Sequence, residues 1–172
     1  LHADTAEQYW RDNTIGAMVA SPANPTGEIL TRDELKDLFE LTQRKNGHLV
    51  VDEIYHGLSY TEQAPSILEI TDQAYVINSF SKYFGMTGWR LGWLVAPEQA
   101  VPHLEKLAQN LFISMSTMAQ YAALAAFTPE SRLILDSRRD EFAARRDYLL
   151  PELRRLGFDI PHTPAGALYL YA

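Results

Sequence analysis

Three short apolar runs, each halted by a polar or turn-forming residue, narrow the folds open to this sequence. Residues 15–19 run into Ala20-Ser21-Pro22-Ala23-Asn24-Pro25-Thr26-Gly27, Leu49-Val50-Val51 stops at Asp52, and Tyr75-Val76-Ile77 stops at Asn78-Ser79. Continuous apolar strands without strict alternation belong to sheets buried on both faces, which are mostly parallel and crossed by helices. Between the first two runs, Thr31 and Glu34 form a capping box. Leu35, Leu38, Phe39 and Thr42 then recur at i, i+3, i+4 and i+7, which predicts a helix to about Lys45 closed by Gly47. A further strand is predicted over 90–95. Strands alternating with helices give an α/β class, a three-layer α/β/α arrangement around a mostly parallel sheet. In such sheets ligands lie at the carboxyl ends of strands, where Asp52 and Ser79 stand.

Beyond Pro97 the pattern is helical, over 98–110, 117–127 and then a longer stretch. There Leu135, Phe142, Leu149, Leu153 and Leu156 make an apolar stripe interrupted by Pro151, where an interior proline costs about 3 kcal/mol and predicts a kink. Residues 131–172 carry seven bases and six acids, whereas residues 1–130 carry eight and sixteen. That shift, after Thr128-Pro129-Glu130, predicts a boundary between a larger unit, 1–130, and the start of a smaller one, 131–172.

Charge and composition exclude several functions. The net charge of −7 argues against nucleic acid or an anionic membrane surface as the main partner. The longest apolar run, 121–127, is far short of a membrane span. There is no cysteine, and the five histidines show no metal-ligand spacing, so no metal site is expected. The glycines form neither a dinucleotide fingerprint nor a phosphate-binding P-loop. The chain starts without Met and stops in the strand-like 168–172, the pattern expected of a piece of a longer protein.

Three places carry chemistry. Asp52 ends an apolar strand in a carboxylate, which is costly unless a cation pairs with it or it caps a turn beginning at Glu53. Ser79-Phe80-Ser81-Lys82, with Arg90 in Gly88-Trp89-Arg90-Leu91-Gly92, offers hydroxyls and a guanidinium suited to a phosphate, together with an amine. Asn24 sits in a rigid proline-rich loop, either as a ligand for a hydroxyl or as a plain turn residue.

These segments, in this order, together with Pro164-Ala165-Gly166-Ala167-Leu168-Tyr169, resemble the class I/II aminotransferases, fold-type I pyridoxal phosphate enzymes. The resemblance implies that Lys82 forms the Schiff base with pyridoxal 5'-phosphate and shuttles a proton. It implies that Asp52 keeps the pyridine nitrogen protonated, and that Tyr55 and Asn24 bond the ring's 3-hydroxyl and tune the Schiff-base pKa. Ile54 packs on the ring, while Ser79, Ser81 and Arg90 hold the phosphate. A cis peptide before Pro25 is implied as well. The activity implied is transfer of an amino group from an amino acid to a 2-oxo acid, in a cytoplasmic homodimer. A C–S β-lyase with the same residues, or an aminotransferase-like effector domain of a transcription regulator, are the alternatives. Relative to the family, residues 1–172 lack an upstream half and the arginine that grips the substrate carboxylate, so by themselves they are expected to be inactive.

Overall fold

The computed structural model describes residues 1–61 and 63–172. Its sheet has four strands, β1 (Gly16–Ala20), β2 (His48–Asp52), β3 (Tyr75–Ser79) and β4 (Gly92–Val95), side by side in that order. The first three are parallel, as the apolar runs predict. β4 corrects the predicted strand over 90–95: it begins two residues later and runs antiparallel to β3. The reason is local. No α-helix separates β3 from β4; a 3-10 turn at Thr87–Trp89 and a left-handed Arg90 (φ 52°) reverse the chain instead.

Helix α1 (Ala3–Tyr9), which no sequence signal announced, and α2 (Arg32–Arg44) cover one face of the sheet. Thr31 Oγ1 accepts the Glu34 N–H at 3.3 Å and the Glu34 carboxylate accepts the Thr31 N–H at 2.7 Å, completing the predicted capping box. That backbone hydrogen bond from Thr31 is the main reason the Glu34 carboxyl lies below its usual range. At the other end, Asn46 rather than Gly47 adopts the left-handed conformation (φ 52°). The N–H groups of Asn46 and Gly47 return to Gln43 O and Thr42 O at 3.1 and 2.8 Å, a Schellman closure. Gly47 is needed for a different reason: a Cβ there would meet the Trp10 ring at 2.7 Å. Leu35, Leu38 and Leu41 of α2 are fully buried against Val19, Leu49, Val51 and Val76, the strand residues whose side chains share that face.

The opposite face carries Met18, Val50, Asp52 and Ile77. Across a cleft from it lies α3 (Val101–Leu111), the third layer of the α/β/α arrangement. Helix α4 (Thr117–Ala125) follows, then α5 (Pro129–Arg155), capped by Thr128 Oγ1 on the Ser131 N–H at 3.2 Å. α5 runs through Pro151 as one helix. Its last turns are held by buried Leu150 and by Arg154, whose guanidinium donates twice to Ile160 O at 3.2 and 2.8 Å.

Candidate active site

The carboxyl ends of β1, β2 and β3 supply the polar groups. Ser21 N–H donates to Asp52 O at 3.0 Å, tying the proline-rich loop to the end of β2. Both Ser21-Pro22 and Asn24-Pro25 are cis, the second as the resemblance implies. Asn24 itself is exposed on this loop, and among the described residues no hydrogen bond joins it to the other site groups. Asp52 lies in register with Ile77 of β3, which in turn pairs with Leu94 of β4, so these three side chains share one face. Its Oδ1 accepts the Ile54 N–H at 3.0 Å. Asp52 therefore caps the turn after β2 with Oδ1, the second of its two alternatives, and that bond leaves Oδ2 as a further acceptor.

β3 delivers the second group. Ser79 Oγ accepts the Ser81 N–H at 2.9 Å, which leaves the Ser79 hydroxyl proton for another acceptor. Thr87 Oγ1 donates to Ser81 O at 2.6 Å and Arg90 Nη1 donates to Thr87 O at 3.0 Å, so the turn before β4 is fastened to the end of β3. The rest of the Arg90 fork is exposed. Ser79, Ser81 and Arg90 form a polar rim on a cleft of about 840 Å³ whose remaining walls, including Ile54, Ile77 and Leu94, are almost all apolar.

Lys82 stands apart from that rim, toward the turn after β2. Its Nζ lies 5.4 Å from the centroid of the buried Tyr55 ring, within cation–π range. The structure thus brings Ser79, Ser81 and Arg90 together on the rim of the cleft and Lys82 against Tyr55, with Asp52 on the sheet face it shares with Ile77 and Asn24 on the loop after β1. The cleft's size reflects the apolar gap between sheet and α3; the chemistry lies at its rim, where the titratable and hydroxyl groups are.

Three neighbours escaped the sequence. Tyr169 hydrogen-bonds the Tyr55 hydroxyl, its ring edge-on to that of Tyr55. Tyr83 donates to Asp136 Oδ1 of α5 at 2.8 Å, and burial followed by that bond pushes its phenol up to about 12. Glu53, nearly fully buried, accepts from Ser66 Oγ and from the Ile67 N–H at 2.9 and 3.0 Å. A buried phenol needs a hydrogen-bond partner, and that, with the place of Tyr169 in the 164–169 segment that carries the resemblance, was the signal available for it.

This donor set fits pyridoxal phosphate. Two hydroxyls and a planar guanidinium suit a phosphate, a carboxylate oxygen suits a protonated ring nitrogen, and an amine lies within the same region.

The sequence profile of the aminotransferase class I and II family matches residues 3–172. A valine–pyruvate aminotransferase of Mycobacterium tuberculosis is 41% identical over 159 residues, covering 91% of this chain and 41% of the relative. A (5-formylfuran-3-yl)methyl phosphate transaminase of Methanocaldococcus jannaschii is 34% identical over 171 residues, covering 98% and 45%. Among solved structures, an aminotransferase from Mycobacterium tuberculosis superposes with a TM-score of 0.91 at 37% identity, covering 97% of this chain and 43% of that one. The chain therefore spans less than half the length of the relatives it matches.

Proposed function

Since the chain belongs to the class I and II aminotransferases, we propose that it acts within a longer polypeptide that moves an amino group from an amino acid to a 2-oxo acid with pyridoxal phosphate. When bound, that group supplies an electron sink for the charge left when the substrate α-carbon loses its proton. The residues of this chain do the rest. Lys82 supplies the amine that anchors the cofactor and the base that moves the proton at the α-carbon. Asp52, with one oxygen engaged by Ile54 N–H, offers the other to hold a proton on the ring nitrogen. Tyr55 and Asn24 bond the ring oxygen, Ile54 packs on the ring, and Ser79, Ser81 and Arg90 hold the phosphate.

One observation supports this reading: Ser79 at the end of β3 and Asp52 at the end of β2 lie on one sheet face, Ser81 and Arg90 share the cleft rim with Ser79, and the Lys82 amine stands against the Tyr55 ring. The two units, 1–130 as part of a cofactor-binding domain and 131–172 as the start of a smaller one, belong to the same proposal. So does a homodimer, supported by the exposed apolar side chains Leu111, Phe112, Ile113, Met118, Tyr121 and Leu124 around α3 and α4. We assign it to the cytoplasm on the family's example; no described helix is long and apolar enough to cross a membrane.

The test is borohydride reduction of the complete polypeptide with pyridoxal phosphate, followed by peptide mapping. A pyridoxyl group on Lys82 is the expected result, and an unmodified Lys82 in folded protein would sink the proposal. Lys82→Ala should then lower turnover by about 10²–10⁴-fold or more. Valine with pyruvate, named for the mycobacterial relative, is the first substrate pair to try. Release of pyruvate and ammonia without any need for a 2-oxo acid would point to a β-lyase instead.

A further inference from the structure

One polar contact beside this site has no part in the roles above: the hydrogen bond between the phenol hydroxyls of Tyr55 and Tyr169. The rings meet at 77° with centroids 5.7 Å apart, and Lys82 Nζ lies 5.4 Å from the Tyr55 centroid. Tyr169 reaches this place because the backbone before it is fastened at several points. Ala165 and Gly166 both donate to Gly27 O at 3.0 Å, and Ala167 donates to Leu58 O at 2.9 Å. Arg146 Nη1 donates to Pro164 O at 2.7 Å while its guanidinium stacks 4.9 Å from the Tyr60 ring. Gly27 has φ +69°, and a Cβ there would lie 2.6 Å from both Gly166 O and Pro164 Cβ. Residues 164–169 thus touch the loop that carries Asn24 and the turn that carries Tyr55.

A phenol has one proton and two lone pairs. If Tyr55 gives its proton to Tyr169, it can only accept from anything else; if Tyr169 donates, the Tyr55 proton is free. One proton cannot serve two bonds, so a Tyr55 hydroxyl that donates to a ring oxygen leaves Tyr169 as the donor within the pair. The hydrogen bond with Tyr55, and then burial, raise the Tyr169 phenol above its ordinary range. Resting on the reading that Tyr55 bonds the cofactor's ring oxygen, we propose that Tyr169 is a positioning residue that donates to the Tyr55 hydroxyl and thereby aims the Tyr55 proton at that oxygen.

The experiment uses the complete polypeptide. Borohydride labelling of Lys82 in the unmodified protein comes first: its failure overturns the functional reading and this role of Tyr169 with it, whereas a labelled Lys82 with an unmoved midpoint, as below, overturns the role of Tyr169 alone. With labelling established, the pH dependence of the bound cofactor's visible absorption is compared among variants. A weaker bond to the ring oxygen leaves more negative charge there, which retains the neighbouring proton to higher pH. Tyr169→Phe keeps the ring and its edge contact, and should move the midpoint upward by roughly half a pH unit or more. Tyr55→Phe should move it at least as far, and the double variant no further than Tyr55→Phe alone. An unmoved midpoint in Tyr169→Phe, or additive shifts, would overturn the proposal. Carbon-13 tyrosine NMR of the cofactor-free protein gives an independent readout. The Tyr169 titration should fall back toward 10.0 in Tyr55→Phe, and a titration unchanged by that substitution overturns the pairing.

Discussion

Glu53 follows the proposed ring-nitrogen partner by one residue and works in the opposite direction, into the interior. Its carboxylate takes both contacts of Ser66 Oγ, at 2.9 Å each, and the Ile67 N–H at 3.0 Å, with His56 Nδ1 at 3.4 Å. This pins the turn that presents Ile54 and Tyr55. Glu53→Ala would strand several buried donors and should cost at least about 2 kcal/mol in chemical denaturation. His56 adds a pH dependence. Burial pushes its imidazole below the ordinary 6.5, against the smaller opposing pull of Glu53, the Ser21 backbone and Glu69. The folded state therefore binds this proton less readily than the unfolded one. The stability it contributes is complete above pH 6.5 and is lost as pH falls from there through the lower folded value. Melting temperatures across that range should decline toward acid, and His56→Gln should flatten the decline; an equal slope in both proteins would contradict this account.

At the level of elements, α2 is the best-specified helix because its start and stop are written within a few residues. The Thr31–Glu34 capping box and the Schellman closure at Asn46 and Gly47 each satisfy terminal backbone groups. Thr31→Ala should cost about 1 kcal/mol, read from denaturant midpoints. Helix α5 presents the opposite case. Pro151 lacks the N–H that its position would bond, yet the helix continues to Arg155. Pro151→Ala should therefore stabilise the protein, by up to about 3 kcal/mol, and a loss of stability would show that the proline fits a bend the packing requires. Strand β4 shows why a run of apolar residues cannot state its own direction. Its residues would pair equally well either way, and the 3-10 turn with left-handed Arg90 selects antiparallel.

Across the whole molecule, residues 164–169 join parts far apart in the chain. The close approach at Gly166 requires a glycine: a Cβ there would stand 2.7 Å from Leu58 O and 2.9 Å from Pro22 Cγ. Gly166→Ala should destabilise by about 1–3 kcal/mol and weaken cofactor retention in the complete polypeptide, since the segment carrying Tyr169 would be pushed off both its supports. Retention equal to that of the unmodified protein would show that this segment does not shape the site. Much of the site was legible beforehand. The ends of β2 and β3 at Asp52 and Ser79, the span of α2 and its capping box all rest on residues close in sequence, whose hydrogen bonds and apolar spacing act without the rest of the chain. The reversal into β4, the cleft that separates α3 from the sheet, and the meeting of Tyr55 with Tyr169 across 114 residues were not legible. These arise from packing between segments that carry no local sign of each other, so they exist only once the chain has closed on itself.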